Sequence, residues 1–574
     1  MDQGAQIDEI LESLKWNGRY QIIYSIVPFL SYISIAISSM SVVFIGKMVE
    51  HHCKKPHSLN ITVGPGTYYV ISNASDSNFN VTYGACSVDV IQGTDVIYST
   101  RCPDGYEYGE PRDSSFVSEW DLVCDKESLS DVSMSVNYIS EMIWALVFTR
   151  LSDIYGRKKL FMLTNSLYFV NSMILCVLPN FVAFLVFKFL QTGASMFASV
   201  IMVEMMPTKH RALPIQIIAY LWPTSLLLLC LLAYLTRELS WRYLQLSLGL
   251  VSAYVLVQWW VTDESLRWLC VKNKKTEAEQ LVKKMARLNK VSPEKALHIL
   301  RTDIFSRDIR LELSQDSRML ERNETNNTTE DFMMLSDDTA ITNRGKSTPS
   351  QSDNNVKFLS IVRNKHLMKI LVISCSLWFT DCLAYDGLLM VSPSFAQNFY
   401  VGFALSVMVE YPASVTFNLI VDRVGRRQCI VVSHLIAGFC LVVSTLLFVP
   451  AVQSYVPESS WVSLGFVLLG RYALSVGYTC VTLFTPELLP TSIRSSGSGF
   501  TSVAAYVAVM IAPHARTLKR HIPWAPSIIF GSICIILSPL TFLLPETKGH
   551  ELSQTLEDME KWLNDVKSKN KPKQ

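Results

Sequence analysis

The stretch DIYGRKK (residues 153–159) places charged residues between two apolar segments, and it recurs in altered form as DRVGRR (residues 422–427). An aspartate, a glycine and an arginine keep the same spacing in both copies. The corresponding residues are Asp153, Gly156 and Arg157 in the first copy and Asp422, Gly425 and Arg426 in the second. A repeat of this kind predicts an internal duplication of the chain.

Two further motifs repeat in the same order along the chain. VEMMPTKHR (203–211) returns as PELLPTSIR (486–494), and DESLRWL (263–269) has a counterpart in LPETKGHEL (544–552). Their charged members are Glu204, Arg211 and Glu264 in the first half and Glu487, Arg494 and Glu546 in the second. Parallel repeats of six spans are typical of transporters built from two bundles that move against each other.

The segments between these motifs are apolar and long enough to cross a membrane. A bilayer core of about 30 Å needs roughly 20 apolar residues in a helix. Such runs, here called spans 1 to 12, lie near residues 21–45, 132–151, 160–178, 181–205, 214–235, 243–261, 367–389, 398–421, 429–449, 461–484, 497–513 and 525–544. Only 17% of the residues are charged, against roughly 25% in soluble domains. We therefore predict an all-α membrane protein with twelve transmembrane helices in two six-helix bundles.

The charges of the loops predict which side of the membrane each loop faces. Lysines and arginines occur in the loops after spans 2, 4 and 8, and none occur after spans 3, 7 and 9. Short cytoplasmic loops carry an excess of these residues, so we predict a multi-pass plasma-membrane protein with both termini in the cytosol. ARTLKRH (515–521), on the predicted outer side, is an exception. The predicted regions are a cytosolic N-terminus (1–20), a first bundle (21–261) with an extracellular loop (47–131), a cytosolic linker (262–365), a second bundle (366–545) and a cytosolic tail (546–574).

The predicted extracellular loop has the features of a secreted segment. It contains three acceptor patterns for N-glycosylation and four cysteines, an even number that predicts two disulfides with three pairings open. The acceptors are Asn60, Asn73 and Asn80, and the cysteines are Cys53, Cys86, Cys102 and Cys124. This loop is also the candidate surface for an oligomer. A net charge of +2 gives no support to a nucleic-acid partner.

The repeated charged turns have the composition of a cytosolic gate. Gly156 and Gly425 permit a tight turn between helices, and Asp153 suits the positive end of a neighbouring helix. We expect the arginines of these motifs to pair with the glutamates across the two halves, closing the inner face. The alternative is that the charges only determine topology, which is the favoured reading for Lys158 and Lys159.

These motifs resemble the major facilitator superfamily and, more narrowly, its organic cation, anion and zwitterion transporter family. The narrower resemblance is carried by EHHC, CPDGYEY and EWDLVCD in the predicted outer loop, LSWRYLQL before span 6, LWFTDCLAYDGL in span 7, VEYPAS in span 8 and LLPETKG at the end. It extends over residues 7–549, with departures at Leu266 and in the number of loop cysteines. The resemblance implies a polyspecific carrier of small charged organic molecules, with its site midway through the membrane between the halves.

Acidic residues within the spans are candidates for that site, because charges inside a membrane are costly and are usually functional. Asp381 and Asp386 lie in span 7 on different faces of the helix, and Glu410 lies in span 8. Aromatic faces attract organic cations, and the candidate walls are Trp222, Phe379, Tyr385 and Tyr506. Asp381 has the alternative of a structural pair with a basic residue.

The sign of the substrate's charge stays open. Cation carriers of the resembling family place an aspartate in the middle of span 11, and anion or carnitine carriers place an arginine, whereas this chain has Tyr506. We hypothesise that Asp386 supplies the missing negative charge. The basic candidates for an anion site are Lys188 and Arg516.

Three functions are therefore weighed. The first is transport of organic cations, the second is transport of organic anions or zwitterions by exchange or with Na⁺, and the third is a non-transporting receptor or scaffold. The sequence predicts no enzyme, no metal site and no cofactor. RGKST (344–348) lacks the first glycine of a phosphate-binding loop, since residue 340 is alanine.

Overall fold

The computed structural model describes residues 3–55, 59–62, 68–71, 80–92, 94–191, 195–304, 364–447, 459–490, 493–549, 553 and 558–562. Within them, seven helices are long and apolar enough to cross a membrane, or eight if one bent pair is a single span. The seven are Arg19–Ile45, Thr208–Leu235, Lys365–Val391, Phe399–Val424, Arg426–Leu446, Trp461–Leu488 and Ala525–Leu543, and the bent pair is Ser496–Ile511 with His514–His521. The predicted all-α membrane architecture is confirmed.

Helices also lie within the remaining predicted spans; they are shorter or more polar than these seven, and in span 4 residues 192–194 lie outside the described residues. Span 2 is one helix, Ser128–Tyr155, which carries Asp131 and Glu141. The others are Arg157–Leu175 for span 3, Phe181–Gln191 and Ser195–Glu204 for span 4, and Trp241–Val251, Ser252–Leu256 and Gln258–Val261 for span 6. Buried polar groups in these helices bind neighbouring helices, as Gln258 does when its side chain accepts a hydrogen bond from Asn165.

The long loop between spans 1 and 2 is built from short antiparallel strands, which the sequence analysis did not predict. The strands form pairs and one three-stranded sheet, and they are His51–Cys53, Leu59–Thr62, Tyr68–Ile71, Asn80–Tyr83, Ser87–Gln92, Asp95–Arg101 and Tyr106–Tyr108. The disulfide pairing is Cys53–Cys102 and Cys86–Cys124. Asn60 and Asn80 lie on strands, and Asn73 lies outside the described residues. We call the end of the molecule that carries this loop the loop end.

The opposite end, here called the turn end, carries the two repeated charged turns and short helices outside the spans. In the first half these helices are Gln3–Ser13, Leu266–Val271, Lys275–Asn289 and Glu294–Ile299. Their apolar faces form a core of their own against the start of span 1. In the second half, Met559 and Trp562 pack against the helices of that half. Each half therefore has its own cap at the turn end.

The halves pack against each other from the middle of the molecule to the loop end. Span 2 packs against span 11, and span 5 packs against span 8. At the loop end the ring of Phe44 meets Phe403, with ring centroids 4.9 Å apart. Residues of both halves contribute to the large apolar core there.

Candidate functional site

The first charged turn is organised by a single glutamate. Gly156 has a φ of +104°, which side chains rarely tolerate, and span 3 begins directly after it. The Glu264 carboxylate accepts hydrogen bonds from the backbone N–H groups of Arg157 at 2.8 Å and Lys158 at 3.1 Å. It thus occupies the positive end of that helix. Burial raises the pKa of the Glu264 carboxyl, an effect that these N–H donors oppose.

The arginine of this turn joins three helices of the first half. The Arg157 guanidinium lies 2.8 Å from Asp153 on span 2 and 3.5 Å from Glu204 on span 4. The indole N–H of Trp268 donates to the carbonyl of Asp153 at 3.1 Å. Spans 2, 3 and 4 and the segment after span 6 are therefore held together at the turn end.

The second half repeats this cluster. Gly425 has a φ of +99°, and Glu546 accepts from the N–H groups of Arg426 at 2.9 Å and Arg427 at 3.0 Å. The remaining contacts are Arg426 to Asp422 at 3.1 Å and Arg426 to Glu487 at 3.2 Å. The motifs that repeat in the sequence therefore form the same hydrogen bonds and ion pairs in each half.

Both clusters tie helices within one half, whereas we expected their ion pairs to cross between the halves. The reason is that each glutamate binds the helix N-terminus that begins at its own half's glycine turn. Arg494 donates to the Leu489 carbonyl at 3.3 Å, and Arg211 interacts electrostatically with Asp8 and Glu204. Among the described residues, no ion pair joins the halves at the turn end.

At the loop end, ion pairs do join the halves. Asp131 on span 2 is fully buried and lies 2.7 Å from Arg516, and Thr517 donates its hydroxyl to the same carboxylate at 2.5 Å. Arg520 lies 3.2 Å from Glu127. We call these five residues the loop-end latch. Arg516, an anion-site candidate in the sequence analysis, therefore has Asp131 as its partner.

In the middle of the molecule, aromatic side chains connect the halves. The indole N–H of Trp222 on span 5 donates to the Tyr385 hydroxyl on span 7 at 3.1 Å. The hydroxyls of Thr224 and Tyr411 lie 2.7 Å apart. Two of the predicted wall residues, Trp222 and Tyr385, are therefore in contact across the interface.

Glu410 is neutralised by an arginine that the sequence analysis missed. Arg471 is fully buried and pairs with Glu410, and it also donates to the carbonyls of Ser406 at 2.8 Å and Tyr385 at 2.9 Å. Its guanidinium lies over the Tyr385 ring, 4.6 Å from the centroid. A basic residue inside the apolar run LLGRYALS (468–475) was the available signal.

Asp381 lies inside the second half rather than between the halves. Its carboxylate is 2.6 Å from Nε2 of His434 on span 9, and both side chains are fully buried. Asp381 therefore has a structural partner, which was the alternative weighed in the sequence analysis. That partner is a histidine and not a lysine or an arginine. Phe379 is partly buried and packs against the apolar core of the same half.

Lys188 lies within the first half. Its ammonium contacts Ser38, Ser41 and Gln191 at 3.2–3.3 Å, and the side chain is fully buried. These contacts join span 4 to span 1. They place the lysine in an interhelical position and not at the interface of the halves.

Asp386 differs from the other buried acids of the second half. Its side chain is only 9% exposed, yet no described residue forms a hydrogen bond or an ion pair with it. It interacts electrostatically with Arg471, with Glu410 and with Glu141 on span 2 of the opposite half. Tyr506 on span 11 interacts with the same Glu141. Asp386 and Tyr506 are thus each within electrostatic range of Glu141, a residue that the sequence analysis did not single out.

Comparison with known families decides the class of the protein. The family described as Major Facilitator Superfamily matches residues 127–513 of the chain. The chain belongs to the major facilitator superfamily. As a member of this superfamily it is a multi-pass membrane transporter and not an enzyme.

Within the superfamily, the chain is related to the solute carrier 22 family of organic anion and cation transporters. It is 27% identical to organic anion transporter 3 of Oryctolagus cuniculus over 98% of this chain and 95% of that protein. It is 28% identical to solute carrier family 22 member 2 of Rattus norvegicus over 99% of this chain and 97% of the relative. Solute carrier family 22 member 6-B of Xenopus laevis and member 2 of Mus musculus both match at 27% identity. The comparison therefore does not assign the chain to one branch of this family.

The fold of this superfamily member is also found among solved structures. The inward-open xylose transporter XylE from E. coli superposes with a TM-score of 0.54, at 14% identity, over 94% of this chain and 98% of that one. At this level of identity the likeness concerns the fold alone.

The glycine turns of this transporter give a testable prediction. Gly156→Ala places a methyl group against Glu264, and Gly425→Ala places one 2.9 Å from Glu546. With the strained φ, each substitution is expected to cost about 1–3 kcal/mol of folding free energy, seen as a lower melting temperature of the purified protein. The matched control is Gly465→Ala, where an added Cβ has nothing within 4 Å. Equal melting temperatures for Gly156→Ala and Gly465→Ala would contradict the role given to the turn.

Proposed function

We propose that the protein carries small organic ions across the plasma membrane by alternating access, with organic cations favoured. The central site lies between the halves around Asp386, and both termini are cytosolic. The loop end then faces outside, in agreement with the disulfides and glycosylation patterns of its loop. The turn end faces the cytosol, in agreement with its lysines and arginines.

The distribution of ion pairs supports a cycle in which the two halves rock. The charged clusters make each half a unit at the turn end, and the loop-end latch holds the halves together on the outer side. In this state the site is closed to the outside. Opening to the outside requires the latch to break, and the gate charges Asp153, Glu204, Asp422 and Glu487 keep each bundle intact during that movement.

The preference for cations rests on one observation, the Asp386 carboxylate. Glu410 and Asp381 already have Arg471 and His434 as partners, whereas Asp386 is nearly buried without a hydrogen bond or ion pair from any described residue. A buried charge is stable only when it is paired. A substrate cation supplies the partner, and the tyrosines around it add favourable contacts with their ring faces.

Transport of organic anions or zwitterions by exchange is the second candidate, because the relatives include a protein named organic anion transporter 3. The basic side chains that would bind an anion are engaged elsewhere. Arg471 pairs with Glu410, Arg516 pairs with Asp131, and Lys188 is enclosed by hydroxyl and amide oxygens. This favours the cation.

The test is uptake into proteoliposomes of a radiolabelled panel containing tetraethylammonium, p-aminohippurate and carnitine. A membrane potential of 100 mV, negative inside, favours the inward movement of each positive charge by about 2.3 kcal/mol. Cation accumulation is therefore expected to rise by more than tenfold when the potential is applied. Asp386→Asn should abolish this accumulation, and Glu238→Gln, an exposed residue of the loop end, should leave it unchanged. Uptake that depends only on a preloaded anion would refute the cation reading. Absence of any uptake would favour a receptor or scaffold.

A further inference from the structure

A histidine of the long loop lies beside one of the two disulfides. His51 is on the first strand of the loop, and its Nε2 atom is 3.8 Å from Sγ of Cys124. The third member of the group is Cys86, the disulfide partner of Cys124. The Nε2 atom and the two sulfurs all lie within 4.8 Å of one another. The sequence analysis predicts no metal site because these residues are far apart in the chain, whereas the folded loop brings them together.

The ring of His51 is held in the orientation that a metal ligand needs. Its Nδ1 atom is 3.1 Å from the carbonyl oxygen of Val49. Because a carbonyl oxygen only accepts, Nδ1 carries the hydrogen in this bond, which leaves the lone pair on Nε2. Histidines that bind metals commonly have such a partner on the other nitrogen. The ring also packs against Tyr106 and Tyr108, with ring centroids 5.7 and 6.0 Å apart, so the protein itself fixes the position of Nε2.

The distance between nitrogen and sulfur suits a tetrahedral zinc ion. Zinc binds a histidine nitrogen at about 2.0–2.1 Å and a cysteine sulfur at about 2.3 Å. At a tetrahedral angle, a nitrogen and a sulfur bound to the same ion lie about 3.6 Å apart, and two sulfurs lie about 3.8 Å apart. The 3.8 Å between Nε2 of His51 and Sγ of Cys124 is close to the first value. One histidine and two cysteines fill three positions of the ion and leave the fourth for water.

The two sulfurs become ligands only when their disulfide is reduced. A thiol reduces a disulfide by attacking one of its sulfurs, so access to the sulfurs decides which disulfide reacts. Cys86 is exposed, whereas Cys53 of the other disulfide is fully buried. Two thiol molecules break the Cys86–Cys124 bond, leave two cysteine thiols and are themselves oxidised to a disulfide. Each cysteine thiol then loses its proton when zinc binds.

We propose that reduction of the Cys86–Cys124 disulfide by a low-molecular-weight thiol creates a zinc site formed by His51, Cys86 and Cys124. This inference goes beyond the proposed function and does not depend on it. The zinc ion joins the strand that follows span 1 to the segment that precedes Glu127, a residue of the loop-end latch. The metal thus replaces the disulfide as the link within the loop.

The test measures zinc bound to the purified full-length protein before and after anaerobic treatment with glutathione, which is removed before zinc is added. One additional zinc ion is expected for each reduced Cys86–Cys124 pair, with release of about two protons. The described free cysteines are present in both samples and do not affect the difference. His51→Gln, which keeps a side chain of similar size, should weaken binding of the additional zinc by at least about tenfold.

The neighbouring histidine provides the matched control. His52 is exposed, lies 3.5 Å from Glu107 and is on the opposite face of the strand. His52→Gln should therefore bind the additional zinc as the unmodified protein does. Mass spectrometry of the buried disulfide verifies the fold of each variant, and the comparison of reduced with untreated unmodified protein decides the question without any variant.

Three results would overturn the site. They are the absence of additional zinc in the reduced protein, a His51→Gln variant that binds it as tightly as the unmodified protein, and an exposed disulfide that glutathione does not reduce in the folded protein. None of these readouts requires transport. Zinc binding without uptake of any ion would support the site and refute the carrier function, whereas uptake without additional zinc would overturn the site and leave the carrier function standing.

Discussion

Arg471→Met is expected to remove about 3–5 kcal/mol of folding free energy, because it leaves the Glu410 carboxylate buried without its partner. The guanidinium is fully buried and holds Glu410 together with the backbone carbonyls of Ser406 and Tyr385. All of these contacts lie beside the Trp222–Tyr385 hydrogen bond that joins the halves. We therefore expect a large fall in melting temperature and loss of uptake.

A second variant separates charge pairing from packing. Arg471→Met combined with Glu410→Gln removes both charges and should recover much of the melting temperature lost in the single variant. Arg423→Met, which changes an exposed arginine at the turn end, is the control and should change stability by less than about 0.5 kcal/mol. If the double variant is as unstable as the single one, the ion pair is not the source of the effect.

Asp131→Asn is expected to open the outer side of the protein. The Asp131 carboxylate is fully buried between Arg516 and Thr517, and truncating one partner of such a pair costs about 2–5 kcal/mol. A loss of 2 kcal/mol shifts an equilibrium by roughly 30-fold. The state closed at the loop end should therefore lose population. Labelling of a cysteine placed at Ser135 by a membrane-impermeant reagent should accelerate, and uptake should fall because the cycle stalls facing outward.

The control for the latch is an ion pair that does not cross between the halves. Asp125 pairs with Arg101 in the loop, and both side chains are largely exposed, so Asp125→Asn should change the labelling rate little. Exchanging the charges, with Asp131→Arg and Arg516→Asp in one variant, should bring the labelling rate part of the way back to that of the protein with the unmodified latch. Unchanged labelling in Asp131→Asn would show that the latch does not hold the halves.

The sequence was sufficient for those features that depend on local spacing. The glycine turns, the paired motifs and the apolar spans each follow from residues close together in the chain, and all of them specify contacts or helices that the structure contains. Glu264 and Glu546 were recognised by their repetition, although their partners were not. The sequence alone does not distinguish a glutamate that binds the helix N-terminus of its own half from one that binds a residue of the other half.

The partners of the buried acids could not be predicted, because tertiary packing chooses them. Asp381 and Asp386 are five residues apart on one helix, yet Asp381 pairs with His434 inside the bundle, whereas Asp386 has no such partner among the described residues and is within electrostatic range of Glu141 in the opposite half. Arg471 and Glu141 lie in spans where periodicity gave no face, so neither was assigned a role. The basic segment 515–521 was noted as an exception to the charge rule, and the structure explains it: Arg516 and Arg520 compensate Asp131 and Glu127.

The most direct test of the account is the distance between the halves at both ends of the same protein. Spin labels at Lys126 and Trp524 report on the loop end, and labels at Lys209 and Arg423 report on the turn end, all at exposed positions. Double electron–electron resonance compares the labelled protein that has an intact latch with the labelled Asp131→Asn variant. In the variant, the loop-end distance should be longer and the turn-end distance should be shorter. Distances that stay fixed, or that change in the same direction at both ends, would contradict two halves that rock about a central site.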